Sequence, residues 1–162
     1  MPSLRIIPCV VVALLAVTSC GGSEVDISKA LEVTDVTTGW YDAGVENGLN
    51  KLLPTVGFRL KNVTSEPVTY VQLNAVFRLD GESEEWGGSF SKAIDGDGLA
   101  PGASTDRLEL RSHLGYTSTE PRAIMLKHSQ FKDANVKVFA KHGGQQWAPL
   151  GEWNIERAVL SR

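Results

Sequence analysis

Cysteine and histidine are scarce in this chain of 162 residues, which has two cysteines and three histidines. Both cysteines lie near the N-terminus, and the histidines, His113, His128 and His142, lie in separate segments. Closed zinc sites take four Cys or His ligands, which usually come in pairs about two to five residues apart. No such spacing occurs in the sequence, so we predict neither a structural metal nor a bound cofactor.

Sequence patterns of catalysis are also missing. There is no Gly-x-Ser-x-Gly nucleophile elbow, no phosphate-binding loop and no Gly-x-Gly-x-x-Gly dinucleotide fingerprint. No catalytic residue can be assigned, and the chain is predicted not to be an enzyme. An active site assembled from residues that are distant in the sequence is the alternative, because such a site needs only that titratable groups converge in the fold.

An excess of positive charge is absent as well. The chain has 16 Lys and Arg against 19 Asp and Glu, which gives a net charge of −3 and a sequence pI of about 5.6. Domains that bind nucleic acid are usually basic, with a pI above about 9 and Lys or Arg clustered on one face. The composition therefore predicts no nucleic-acid partner.

No apolar run is long enough for a membrane-spanning helix, which needs about 20 residues. The longest run covers residues 6–17 and contains Pro8 near its start. It follows the single cation of Arg5 and ends in small residues, an arrangement typical of the apolar part of a secretory signal. A buried core helix is the alternative, but the position at the extreme N-terminus favours the signal.

The residues at the end of this run, Val17-Thr18-Ser19-Cys20, resemble the lipobox of bacterial lipoproteins. The resemblance implies that residues 1–19 are a signal peptide that is removed, that Cys20 is lipidated, and that residues 20–29 tether the domain to a membrane. An ordinary secretory signal is the alternative. In that case Cys9 would leave with the signal, and Cys20 would be an unpaired thiol or would need another partner.

The same resemblance implies a location in the cell envelope. The anchored domain would lie on the outer face of the cell membrane or, in a host with two membranes, on the outer membrane facing the periplasm. Gly21 favours the outer membrane, because retention at the inner membrane is associated in this family with Asp after the cysteine. Two or more acyl chains make such an anchor stable, whereas a single chain holds a protein only marginally.

The remainder, residues 30–162, carries the alternation of apolar and polar residues that is typical of half-buried strands. The clearest strand covers residues 68–80, in which Leu73 and Phe77 share one face and Arg78 lies on the other. Further predicted strands cover residues 31–41, 55–63, 87–94, 105–111, 136–142 and 146–160. Other predicted elements are a loop at 42–53, one or two helical turns at 121–127 and a two-residue hairpin turn at 143–144.

About seven strands without alternating helices predict an all-β fold, an antiparallel immunoglobulin-like sandwich. The segments Phe58-Arg59-Leu60-Lys61-Asn62, residues 71–80 and Pro101-Gly102-Ala103-Ser104 are similar to FxLYD-type, immunoglobulin-like domains of bacterial envelope proteins. This resemblance implies the same fold and brings no catalytic residue with it.

Four aromatic residues are predicted at strand ends or turns, namely Trp40, Tyr41, Trp86 and Trp147. Trp and Tyr are enriched at protein interfaces, so these four are a candidate surface for an envelope protein or a glycan. The alternative is that they fill the ends of the sandwich. The predicted function is that of a non-catalytic, membrane-anchored lipoprotein that presents a β-sandwich as an interaction module.

Calcium-dependent binding or carriage is a further alternative. Asp95-Gly96-Asp97-Gly98 begins like a calcium loop, but positions 5, 6 and 12 of an EF-hand would fall on Leu99, Ala100 and Asp106. A calcium site would instead require two acidic turns to meet at one end of the sandwich. Their carboxylates are those of Asp80, Glu82, Glu84, Asp95 and Asp97.

Overall fold

A computed structural model describes residues 25–160, which form a sandwich of two β-sheets. In chain order the elements are α1 Ile27–Ala30, β1 Leu31–Glu46, β2 Leu49–Asn62, β3 Val71–Leu79, β4 Gly87–Ile94, β5 Leu108–Arg111, β6 Tyr116–Ser118, α2 Arg122–Met125, β7 Ala134–His142, β8 Ala148–Asn154 and β9 Val159–Leu160. The predicted all-β fold is confirmed, with nine strands in the described range instead of about seven.

The two sheets divide the strands unequally. The first has the order β5–β2–β1–β9, with β6 also paired to β2, and the second has the order β4–β3–β7–β8. All pairings are antiparallel except that of β1 with β9, where Trp40 lies opposite Val159 and Tyr41 opposite Leu160. The hydrophobic core is one cluster between the sheets.

Strand β3 lies inside the second sheet and shows the predicted alternation. Val71, Leu73 and Phe77 are fully buried, whereas Gln72 and Arg78 are only half-buried. The strand begins later than predicted, because the backbone of the preceding residue takes a left-handed conformation that no regular strand contains. The central position of β3 follows from pairing on both edges, with β4 on one side and β7 on the other.

The prediction of a loop at residues 42–53 is wrong. Strand β1 continues to Glu46 and β2 begins at Leu49, so the segment is a hairpin. Its turn is the predicted Asn47-Gly48 pair, and both residues have the positive φ angles that a two-residue hairpin turn requires. The buried side chain of Leu52 and the pairing of β6 against this part of β2 extend the strands beyond what local propensity indicates.

The prediction of one strand over residues 146–160 is also wrong. Strand β8 belongs to the second sheet, and after it the chain crosses to the first sheet and forms β9. Trp153, Ile155 and Val159 therefore do not share a face, since Ile155 is buried and Val159 is 40% exposed. The turn before β8 is longer than two residues, because β7 ends at His142 and β8 begins at Ala148.

The fold begins earlier than the sequence suggested. Ile27 and Ala30 in α1 are both buried in the core, so part of the predicted tether at residues 20–29 belongs to the domain. The predicted signal peptide at residues 1–19 and the lipidated Cys20 lie outside the described residues. Within the described residues, no helix has the length and apolar character needed to cross a membrane.

Candidate functional site

The predicted aromatic surface separates into two groups, and the first is buried. Trp40 is fully buried, and its ring lies 4.8 Å from that of Phe131 and 5.5 Å from that of Tyr116, measured between centroids. Trp86 is half-buried and 5.3 Å from Tyr116. We call Trp40, Trp86, Tyr116 and Phe131 the end cluster. Trp40 is thus a core residue and not a contact surface, and the end cluster fills one end of the sandwich, as the alternative interpretation holds.

Tyr41 lies beside Trp40 on β1 but points to the other face of the first sheet. Its ring is half-buried under the guanidinium of Arg111, which lies 3.7 Å from the ring centroid. Such a stacked cation keeps a tyrosine ring in place on a sheet surface. Tyr41 and Trp147 therefore lie on different sheets, and the four predicted aromatic residues do not form one surface.

The second aromatic group lies on the outer face of the second sheet. Trp147 in the β7–β8 hairpin is 38% exposed, and its ring is 6.1 Å from that of Phe90 in an edge-to-face contact. The ammonium of Lys141 lies 5.2 Å from the Trp147 centroid. We call Phe90, Phe139, Lys141 and Trp147 the outer-face patch. Large exposed aromatic groups on one face mark surfaces that contact a partner or a membrane.

Strand register explains why these side chains share a face. Asn74 of β3 pairs with Phe90 on one side and with Phe139 on the other, and Gln72 pairs with Lys92 and Lys141. Directly opposite residues of paired strands project to the same side of a sheet. The outer face therefore carries two aromatic rings in one row and two lysines in the next, with amide side chains between them.

Phe90 could not have been assigned to this surface from its own strand. Phe90 and Ile94 are four residues apart, and regular alternation would place both on one face. An irregularity in the β3–β4 pairing leaves one extra residue between Lys92 and Ile94, so Ile94 turns into the core while Phe90 stays outside at 63% exposure. A bulge changes the alternation in this way. The alternating Lys137-Val138-Phe139-Ala140-Lys141 sequence, by contrast, did contain the signal for the β7 part of the patch.

A groove of about 430 Å³ lies beside the end cluster, between β6 and the turns after α2. Its polar lining includes Glu120 and His128. The Nδ1 atom of His128 accepts a hydrogen bond of 3.2 Å from the backbone of Gln130, so the imidazole caps its own turn. In the part of the chain that the structure describes, none of the serine and threonine hydroxyls lining the groove is hydrogen-bonded to the His128 imidazole, the contact that catalysis of the Ser–His type requires.

The histidines and acidic turns do not converge. His113 contacts the backbone of Gly88 at the start of β4, whereas His142 lies at the end of β7, on the opposite end of the second sheet. Asp80 and its neighbours precede β4, and Asp95 and Asp97 follow it. Eight residues of strand span about 25 Å. The acidic turns therefore lie at opposite ends of the sandwich, which contradicts the geometry that the calcium alternative needs.

Charged side chains near the end cluster form ion pairs with each other. The ammonium of Lys132 donates to Glu82 at 2.5 Å, and this hydrogen bond raises the pKa of Lys132 above its ordinary value. A hydrogen bond to Asp133 likewise raises the pKa of the Arg157 guanidinium. Among residues 25–160, no group of three or more His, Cys, Asp and Glu side chains is arranged to hold a metal ion.

Comparison with known proteins gives structural likeness alone. No protein-family model matches the chain, and no curated protein matches it. A Bordetella pertussis protein provisionally named ApaA is 17% identical with a TM-score of 0.43, covering 78% of this chain and 93% of that one. An X-ray structure of a Northeast Structural Genomics Consortium target is 10% identical with a TM-score of 0.45, covering 80% and 88%. Identities and TM-scores this low identify no function.

Proposed function

We propose that this protein is a membrane-anchored lipoprotein of the cell envelope whose β-sandwich acts by contact and not by catalysis. The observation that carries the proposal is the sequence Val17-Thr18-Ser19-Cys20 directly behind the apolar run at residues 6–17. Such a run is the length of a signal h-region and is shorter than the roughly 20 residues of a membrane span. An acylated Cys20 holds the mature chain at the membrane.

The arrangement of titratable groups supports contact as the mode of action. General acid–base and nucleophilic catalysis need groups within hydrogen-bond reach of each other. In the described residues His113 and His142 lie at opposite ends of a sheet, and His128 caps a turn. A rigid sandwich with exposed hairpins suits a module that positions itself against an envelope protein or glycan.

The first test is the substitution Cys20→Ser, expressed in a bacterial host. The thioether to diacylglycerol cannot form without the thiol, so we expect the protein to lose its acyl mass and to leave the membrane fraction. Intact mass spectrometry and fractionation of the envelope measure the two effects. The membrane of residence is read from the same fractions, and for a host with two membranes we expect the outer one.

Cys9→Ser provides the matched control. Cys9 lies inside the segment that is removed, so this variant should keep both the mature mass and the membrane association of the wild type. If Cys20→Ser remains in the membrane fraction at the processed mass of the wild type, the lipid anchor is disproved.

A further inference from the structure

The position at which the chain enters the fold is fixed by the β7–β8 hairpin. The side-chain amide of Gln145, in the orientation that satisfies both groups, donates to the Val25 carbonyl at 2.9 Å and accepts from the Val25 amide at 3.3 Å. Gln145 lies in the same turn as Trp147. The first described residue of the chain is thus held against the hairpin that contributes Trp147 to the outer-face patch.

Exposed aromatic residues are concentrated around this hairpin. Phe90 is 63% exposed and contacts Trp147, which is 38% exposed. Tyr70 is 60% exposed, and its carbonyl accepts a hydrogen bond of 2.9 Å from Gly143 in the hairpin. Its backbone lies in the left-handed region at φ +52°, a conformation that is costly for an aromatic residue and is found where the surroundings or the function demand it.

Chain length limits how far this end of the domain can be from the anchor. Cys20 and Val25 are five residues apart, which corresponds to at most about 18 Å of fully extended chain. With Cys20 acylated at the membrane surface, the hairpin held to Val25 must remain close to the lipid headgroups. The opposite end of the sandwich, with the end cluster and its groove, is then the end farther from the anchor.

We propose that Tyr70, Phe90 and Trp147 rest in the headgroup layer of the membrane that holds the Cys20 anchor, so that the domain lies on the bilayer in one orientation. This inference rests on the proposed lipid anchor. Trp and Tyr favour the interface between water and lipid, where an apolar ring and a polar edge are both accommodated. The occupant of the outer-face patch is therefore the bilayer itself.

The charges of this face are suited to lipid headgroups. The cations on the outer face of the second sheet are Arg78, Lys92, Lys137 and Lys141. Two carboxylates oppose them, since Glu152 lies 3.9 Å from Lys137 and the Glu85 carboxylate lies over Gly88. This face is therefore positive, although the chain as a whole has a net charge of −3. Lysines at a membrane surface place their ammonium among the phosphates. The carboxylates of Asp95 and Asp97, in the turn after β4, offset part of the positive charge near this face. We therefore expect docking on zwitterionic phosphatidylcholine, strengthened by anionic lipid.

The test uses the processed, lipidated protein in vesicles of phosphatidylcholine, with and without phosphatidylglycerol. Part of the lipid carries bromine on its acyl chains, which quenches tryptophan emission at close range. We expect quenching in the wild type and its loss in Trp147→Phe. Trp153→Phe is the control, because the Trp153 ring packs between the sheets at 6.3 Å from Phe58 and should not contribute to the quenching.

Two further variants keep the test independent of any folding defect in Trp147→Phe. Phe90→Ser changes a side chain that is mostly exposed, and we expect it to reduce the quenching. Lys92→Glu combined with Lys141→Glu should reduce quenching most in vesicles with phosphatidylglycerol. Lys127→Glu, on the exposed surface after α2, makes a charge reversal near the other end and should leave the quenching at the wild-type level.

The outcomes separate this inference from the proposed function. A protein that carries the acyl mass and floats with the vesicles, but whose emission bromine does not quench, overturns the orientation and leaves the anchor intact. Quenching that persists unchanged in folded Trp147→Phe and in Phe90→Ser also overturns it. A wild-type protein without acyl mass that does not float overturns the proposed function, and the orientation with it.

Discussion

At the scale of single residues, Asn62 shows how a buried polar group is made tolerable. Its side chain is fully buried and makes four hydrogen bonds. The amide nitrogen donates to the carbonyls of Glu66 and Leu99, both at 2.8 Å. The side-chain oxygen accepts from the backbone and hydroxyl of Thr64 at 2.9 and 2.8 Å. Although Asn62-Val63-Thr64 has the form of a glycosylation acceptor, this asparagine is structural, because it is not accessible in the fold.

Asn62→Ala should lower the free energy of unfolding by about 1–3 kcal/mol, because four hydrogen bonds at a fully buried site are lost together. The Leu99 carbonyl then keeps one of its two donors, the Val68 amide at 3.0 Å. Urea denaturation of the mature protein measures the effect. Asn50→Ala serves as the comparison, since the Asn50 amide donates to the Glu120 carbonyl at an exposed site. Equal shifts of the urea midpoint for the two substitutions would contradict the argument.

Phe77 and Arg78 test the alternation of β3 with adjacent residues. Phe77 is fully buried, and Phe77→Ala should cost about 3–5 kcal/mol through lost burial and the cavity left behind. Arg78 points outward and donates to the Ser83 carbonyl at 3.2 Å, so Arg78→Ala should cost about 0.5 kcal/mol or less. The denaturant midpoints of the two variants, compared with that of the wild type, measure both losses of stability. A loss at Arg78 as large as that at Phe77 would show that the two side chains share an environment.

At the scale of elements, Arg157 adds a polar closure to the segment of α2 and the turns after it, which also buries Met125, Leu126 and Phe131 in the core. The guanidinium bonds both carboxylate oxygens of Asp133, at 2.6 and 3.1 Å, and donates to the carbonyls of Leu126 and Phe131 at 3.2 and 3.3 Å. It also lies 5.2 Å from the centroid of the Phe131 ring. One side chain from the crossover between β8 and β9 therefore contacts three points of the preceding segment.

Arg157→Ala should loosen residues 122–133 while the two sheets stay folded. Short elements with few ladder hydrogen bonds open locally at low free energy, and the lost contacts are the ones that close this segment. Hydrogen exchange followed by mass spectrometry should show faster exchange in peptides from this segment only. Lys127→Ala, which removes an exposed side chain of the same segment, should leave exchange unchanged. Uniformly faster exchange throughout both sheets would show a global role for Arg157 instead.

How well each element could be predicted depended on the length of its pattern. Strand β3 was recognisable because its alternation persists over the whole strand. Strands β6 and β9 contain three and two residues, too few to show any period. Local sequence predicts the Asn47-Gly48 turn but not the strands that flank it, because Gly44 and Asn50 resemble loop residues when their pairing is unknown. The limits of these strands are set by pairing with other strands, which is tertiary information.

At the scale of the whole molecule, the number and spacing of strands predicted a sandwich, but not which sheet receives each strand. The crossover at Ile155, where the chain leaves the second sheet for the first, has no local signal. The same limit applies to the candidate site. Trp40 and Trp147 are both tryptophans at predicted strand ends, and the sequence does not distinguish them. In the fold Trp40 is in the core and Trp147 is on the outer face. Only the assembled sheets separate buried aromatic residues from exposed ones.

The overall arrangement of charge leads to the last prediction, on calcium. The acidic turn after β3 and the acidic turn after β4 are separated by the length of β4, about 25 Å. Glu82 in the first turn is already paired with Lys132 at 2.5 Å. Calcium takes six to eight oxygen ligands at about 2.3–2.6 Å, which requires carboxylates to converge. Carboxylates at opposite ends of a sandwich cannot meet this requirement within one folded chain.

We therefore expect the thermal unfolding midpoint of the mature protein to be the same in calcium and in chelator at matched ionic strength. An ion that binds only the native state stabilises it by RT ln(1 + [L]/Kd), about 2.7 kcal/mol at a hundredfold excess over Kd. For a domain of this size that is a rise of several degrees, well within calorimetric precision. Sodium chloride at equal ionic strength controls for screening, since surface charges respond to salt alone. A rise specific to calcium would mean that acidic groups converge somewhere in the folded protein and would restore ion-dependent binding as its function.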